Sequence, residues 1–422
     1  MRAPRRPCYA LAPGIGAIAM SRASVALDTL RGYVIAMVVT FHSVMAYMAS
    51  APSSAASFDT PPYAWRVHPI VDAARFWGFD LFGAFQFLHL MQLMFFLSGV
   101  FVWPSLVRKG AAVFLRDRVF RLGVPFCIGV FLLMPAAYFP AYRVGALDPS
   151  WHAYWTHWTD LPFWPNGPMW FLWYVLLLNV AAAGIFCFAP GATALLGRLS
   201  DHAGRRPERL FIGLVLVSTL LDLPLAKAFA PWDWVSFGPF EIQASVAPQY
   251  ALYFLTGLAV GAGGIGRGAL RHDGPLAQHW AAWLAGALTA FGLWLACAAL
   301  IETGRMGVAS PAGIARELGF TLFAASACLA AVALFLHFAT APRPIVRSIA
   351  ENSYGIYLFH YVFVLWMQYA LLPVALPAVV KGAIVLGVAL ALSWAASAAV
   401  GRVAIGARLM RGERRIAMAR QS

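Results

Sequence analysis

The sequence predicts an all-α polytopic membrane bundle of about ten transmembrane helices, with both termini cytoplasmic. Three observations carry that prediction. The chain is 61% hydrophobic and 11% charged, with a mean hydropathy of +0.71, a balance foreign to a soluble domain of 422 residues. Its apolar residues come in continuous runs, not alternating ones, which argues against a β-barrel. Its charge is one-sided. With the N-terminus inside, the cytoplasmic segments hold all 31 basic residues except Arg66, Arg75, Arg143, Lys227, Arg305, Arg316 and Lys381. The net charge of +14 thus reflects topology and contact with anionic lipid, and no nucleic-acid partner is expected.

The runs long enough to span lie at roughly 31–49, 80–103, 122–141, 168–190, 210–229, 246–266, 280–301, 316–339, 354–372 and 377–400. Those at 122–141 and 246–266 contain Pro and Gly and are the weakest. Residues 1–25 read as a cytoplasmic tail and 402–422 as a basic cytoplasmic tail, enclosing a membrane domain over 26–401 with no appended soluble domain. The start also matches a cleaved signal peptide weakly, its apolar stretch broken by Pro13, and Met20 is an alternative start.

Asp28-Thr29-Leu30-Arg31-Gly32 leads into the first span, which carries His42. Arg31 and His42 lie about three helical turns apart, so both project from one face, about 16 Å apart along the axis. Either Arg31 snorkels and His42 merely packs, or the two form an anion clamp with a proton-accepting imidazole buried above it. In the second span Gln86, His89 and Gln92 form a polar stripe at spacing three. His89 enters from the outside and reaches a depth comparable to His42, so the imidazoles can share one midplane cavity; interhelical hydrogen bonding is the plainer reading.

Residues 104–121 alternate Lys109, Arg116, Arg118 and Arg121 with apolar side chains. Such a stretch lies on anionic headgroups or binds phosphate, and Arg118 and Arg121 stand one turn apart beside the third span. Between the third and fourth spans, residues 142–173 gather Trp151, Trp155, Trp158, Trp164, Trp170 and Trp173 with His152, His157, Asp148 and Asp160. An interfacial tryptophan belt is the leading reading, and stacking on sugar faces the sharper one; Asp233 and Glu241 in the next external loop can add polar contacts. His152 and His157, five apart in a loop, are too weak a signal for a metal site. The ninth span aligns Ser353, Tyr357 and His360 at i, i+4 and i+7, as a structural network or as catalytic groups. Cys127, Cys187, Cys297 and Cys328 fall in spans and Cys8 in the first tail, so neither a disulfide framework nor a CxxC metal pattern is present.

Leu27-Asp28-Thr29-Leu30-Arg31-Gly32 with His42, Phe95-Phe96-Leu97-Ser98-Gly99, Arg118-Val119-Phe120-Arg121-Leu122-Gly123-Val124-Pro125, Met169-Trp170-Phe171-Leu172 and Ser353-Tyr354-Gly355-Ile356-Tyr357-Leu358-Phe359-His360 occur in that order. Together they resemble the membrane acyltransferase family 3, nearest to its glucan biosynthesis protein C branch. The resemblance implies transfer of a short acyl group from cytoplasmic acyl-CoA (acetyl-CoA or succinyl-CoA) to a hydroxyl of an extracytoplasmic glycan or similar acceptor, in a bacterial inner membrane. On this chain it implies His42 as general base, Arg31 positioning the donor, and Arg118 and Arg121 contacting its phosphates. Asp28 stands where relatives often have Glu, which keeps the charge and alters the reach. A thioester is already activated, so proton removal and oxyanion stabilisation remain; Tyr357, Ser353 or His89 can donate hydrogen bonds for the second task. The rival reading is a transporter or flippase with proton-relay histidines, which inverted repeats or paired broken helices would favour; neither is evident.

Overall fold

The computed structural model describes residues 21–229, 233–307, 310–339 and 344–411. Most of the first tail, with Arg2, Arg5, Arg6, Cys8 and Met20, lies outside these, as do Arg343 and the end of the second tail. Helices dominate, and the described strands are one antiparallel hairpin, Trp234–Phe237 with Phe240–Gln243, turning at Gly238.

Eight helical segments are long and apolar enough to cross a membrane: Arg22–Tyr47, Trp77–Lys109, Ala111–Gly145, Gly167–Phe188, Pro207–Ala226, Trp280–Glu302, Pro311–Phe338 and Ala378–Val400. The other two expected spans are also helical. Ala247–Gly261 has 15 residues, about 22 Å, short of a hydrocarbon core of about 30 Å. Pro344–Ala370 has 27 residues and is long enough, but Arg347, Glu351, Asn352, Ser353, His360 and Gln368 dilute its hydropathy. That helix is the hub of one half of the bundle, packed on Arg22–Val44, Ala378–Val400 and Met134–Gly145. Gly32 lets it approach the first helix, since a β-carbon there would lie 3.2 Å from Ala350 Cα.

The short Ala247–Gly261 helix is seated differently. Its Gly257 and Gly261 lie one turn apart, and a β-carbon on either would lie 2.0 Å from a carbonyl oxygen of the Leu90–Val100 helix. Small residues at that spacing let two backbones meet, which supplies the packing contacts that drive association where lipid leaves little hydrophobic gain.

The second span does not run as one helix. It breaks between Trp77–Phe87 and Leu90–Val100, with His89 as the N-cap of the second piece. The His89 ring explains the break: its Nδ1 takes the Phe85 carbonyl at 2.7 Å, the acceptor its own backbone N–H would use in a continuous helix. The expected stripe of Gln86, His89 and Gln92 is therefore interrupted. The 104–121 stretch also folds, at Gly110 (φ +74°), into Val102–Lys109 and Ala111–Arg118 tied by a Lys109–Asp117 ion pair. The tryptophan-rich segment expected as a loop contains a helix, Trp151–Asp160, capped by Ser150.

Candidate active site

Proline chemistry shapes the wall of the site. Pro125 has no N–H, so the Arg121 carbonyl four residues earlier receives no helical donor from it, and the chain runs as π-helix over Val119–Gly123. The Tyr354 hydroxyl donates to that carbonyl instead. The same substitution recurs twice. Met134 N–H reaches back five residues to Gly129, and the next bond of that register would have to come from Pro135; Trp164 Nε1 donates to the waiting Val130 carbonyl at 3.0 Å. Pro140 likewise leaves the Ala136 carbonyl to Trp366 Nε1 at 2.9 Å. Tyr354 and Trp366 both belong to Pro344–Ala370, so this helix is pinned to the Ala111–Gly145 segment at two heights.

Across from that wall stands the first helix, continuous from Arg22 to Val44, which keeps Arg31 and His42 at the expected offset. His42 Nδ1 lies 3.1 Å from His360 Nε2. His360 Nδ1 lies 2.6 Å from the Tyr357 carbonyl, and a carbonyl only accepts. In the neutral pair the tautomers follow: His360 carries its proton on Nδ1, its Nε2 accepts from His42 Nδ1–H, and His42 Nε2 is left unprotonated; the Val38 carbonyl, one turn back, also bonds the His42 ring. Gln368 Nε2 holds the His42 carbonyl at 2.9 Å and fixes the end of the helix. The Tyr361 ring meets His42 edge-on at 5.1 Å.

The other expected groups are placed elsewhere. Ser353 Oγ donates to the Ala350 carbonyl at 2.9 Å, and the Tyr357 hydroxyl donates to the Pro168 carbonyl. Both hydroxyl protons are thus committed to backbone, and of the two residues it is Tyr357 that meets His360, through its carbonyl and its ring. The His89 ring packs against Phe85 and Phe323, bonded to the Phe85 carbonyl of the preceding helix and not to the His42–His360 pair.

Guanidinium groups gather toward the far end of the first helix. Arg118 lies within electrostatic range of Arg121 and Arg31 and stacks over Phe114 at 4.9 Å. Arg31 contacts Asp28 at 3.4 Å and is 40% exposed. Arg121 Nε is buried and makes no hydrogen bond. Arg408, from the Ala404–Arg411 helix, stacks over Phe120 at 5.1 Å and adds a charge that sequence reasoning assigned to a tail. Like charges held this close are stabilised by an anion.

At the opposite end, the Tyr361 hydroxyl meets that of Tyr138 at 3.4 Å, and Tyr138 lies within range of Arg66 and Glu241. Arg66 pairs with Glu241 at 2.8 Å and stacks over Phe163. Burial pushes the Glu241 carboxyl up, and Arg66 and Ser236 pull it back. Glu241 was legible as a polar loop residue; its partner was not, being about 175 positions distant in the chain. His157 pairs with Asp59 at 2.8 Å, apart from His152. Among the described residues no trio of His, Cys, Asp or Glu is arranged to hold a metal ion.

A family model described as an acyltransferase domain, that of the membrane acyltransferase family 3, matches residues 24–398. No curated protein and no solved structure matches the chain. The matched span contains the histidine pair and Arg31, Arg118 and Arg121, and the chain belongs to this family.

Proposed function

We propose that this member of the acyltransferase family, a multi-pass membrane protein, moves a short acyl group from cytoplasmic acyl-CoA to a hydroxyl of an extracytoplasmic glycan or similar acceptor. Acetyl-CoA and succinyl-CoA both fit the reading, as does a bacterial inner membrane; the glucan branch tilts it toward succinyl. The observation that carries the proposal is the His42–His360 pair, whose tautomers leave His42 Nε2 open as a base.

In this mechanism His42 Nε2 removes the acceptor's hydroxyl proton as its oxygen attacks the thioester carbonyl. The tetrahedral intermediate collapses with cleavage of the C–S bond, and the His42 imidazolium returns its proton to the departing CoA thiolate. His42 Nδ1–H donates to His360 Nε2 throughout, so the imidazolium forms against an aligned acceptor. Arg118 and Arg121, with Arg31 and Arg408 nearby, supply the charge that a CoA phosphate chain requires. Membrane lipids cover the apolar exterior.

The test is transfer of radiolabel from acyl-CoA to glycan in membranes carrying the wild-type chain or His42→Ala. General-base removal costs on the order of 10²–10⁴-fold in turnover. Full transfer by His42→Ala, or no saturable CoA binding by the purified wild type, overturns the reading.

A further inference from the structure

A second polar site lies where three helices meet: Pro207–Ala228, Ala247–Gly261 and Pro311–Phe338. Gln249 Nε2 donates to Asp222 Oδ1 at 3.1 Å, and one turn away Tyr253 faces Ser218. On the other side Thr219 and Thr321 hydroxyls meet at 3.0 Å, and Asp222 faces Glu317. Pro207–Ala228 is thus joined to each of the other two helices by two facing pairs in antiparallel register. Yet Asp222 Oδ2 and Gln249 Oε1 are buried and make no hydrogen bond, and the buried Ser218 and Tyr253 hydroxyls have only each other within reach. Their residues are between 0% and 4% exposed.

The charges do not balance either. Arg316 forks both Nε (3.0 Å) and Nη2 (2.6 Å) onto one oxygen of Glu317 and neutralises it. Asp222 remains as a second carboxylate, and among the described residues acting on it Arg316 is the one cation. An intramembrane carboxylate without its own counter-charge is costly, and such residues mark ion and proton sites. Gln249 Oε1 can only accept, and so can Asp222 Oδ2 while ionised, so a donor, a proton or a cation is called for here.

We propose that a monovalent cation, a proton or a sodium ion, binds between Asp222, Ser218, Gln249 and Tyr253. Oxygen donors suit a hard cation. A sodium ion is met by these four oxygens, the hydroxyls turning their lone pairs to it; a proton resides on Asp222 toward Glu317. The ionisable groups that face this site are Glu317 and Arg316 from one helix and Tyr253 from another, with Cys328 behind Tyr253. The site is independent of the acyl-transfer reading.

The experiment measures the thermal unfolding midpoint of the full chain in lipid nanodiscs. Sodium chloride is compared with choline chloride at equal ionic strength, and about pH 6 with about pH 8 in sodium-free buffer. Sodium as occupant raises the midpoint by a few degrees over choline. A proton as occupant lowers it toward the higher pH without regard to sodium. Asp222→Asn abolishes a sodium dependence and shrinks a pH dependence to the part that Glu241 supplies. Indifference of the wild type to both comparisons, or a dependence undiminished in Asp222→Asn, overturns the proposal. Should that variant not fold, the wild type is tested for retained radioactive sodium and for the infrared band of a protonated carboxyl; absence of both overturns it equally.

Discussion

His360 earns its place through what it accepts. With its Nδ1 proton donated to the Tyr357 carbonyl, only Nε2 faces His42, so His360 sets the His42 tautomer. His360→Phe removes that acceptor, and turnover is expected to fall by about 10²-fold with the KM for acyl-CoA nearly unchanged. His360→Gln, whose amide oxygen can accept the same proton, retains more activity than His360→Phe. Equal losses in the two variants assign His360 to packing alone. Arg121→Ala has the converse signature, a raised KM for acyl-CoA with turnover largely kept, read from the same steady-state kinetics. The Arg31–His42 pair was readable in the sequence because helical period fixes it within one element. The His42–His360 contact was not, since it joins helices about 318 positions apart, and the depth argument that paired His42 with His89 could not foresee the broken helix.

At the scale of elements, the Ala111–Gly145 segment turns three prolines into points of attachment. Tyr354→Phe strands the Arg121 carbonyl and is expected to cost about 1–3 kcal/mol, seen as a lower unfolding midpoint. Pro125→Ala restores an N–H four residues beyond Arg121. In the double variant Pro125→Ala/Tyr354→Phe the carbonyl therefore regains a donor, and the loss shrinks below that of Tyr354→Phe alone. Strictly additive losses show that the hydroxyl and the proline act separately. Continuous apolar runs made the helices legible, and the prolines marked 122–141 as irregular. Which carbonyls they free, and which aromatic donors answer, depends on neighbours that no local pattern names. Hydropathy also failed to separate the short Ala247–Gly261 helix from a full span, because Gly257 and Gly261 are seated by packing, not by length.

Across the whole molecule, two ion pairs join the 48–76 segment to distant elements over the His42 end of the bundle. Lys381, in the last long helix, donates to Asp72 at 2.7 Å with both side chains 3% exposed. Lys381→Met leaves a buried carboxylate alone and is expected to cost about 3–5 kcal/mol, most of it recovered in Asp72→Leu/Lys381→Met; thermal unfolding of the three proteins checks this. Arg66 ties the same segment to the hairpin through Glu241. Burial holds the Glu241 carboxyl above its ordinary value despite Arg66, so folding favours the protonated acid. Stability from that group is present below the unfolded value, about pH 4.3, and is lost as pH rises through the folded one. Arg66 limits this loss, and Arg66→Met pushes the carboxyl further up. Relative to wild type, Arg66→Met should therefore lose more stability near pH 8 than near pH 4, over and above a constant loss from its stacking on Phe163. Unfolding midpoints of both proteins at the two pH values decide it: a difference that does not widen with pH means that Glu241 does not depend on Arg66 for its charge, and that the hairpin is held by its aromatic contacts instead.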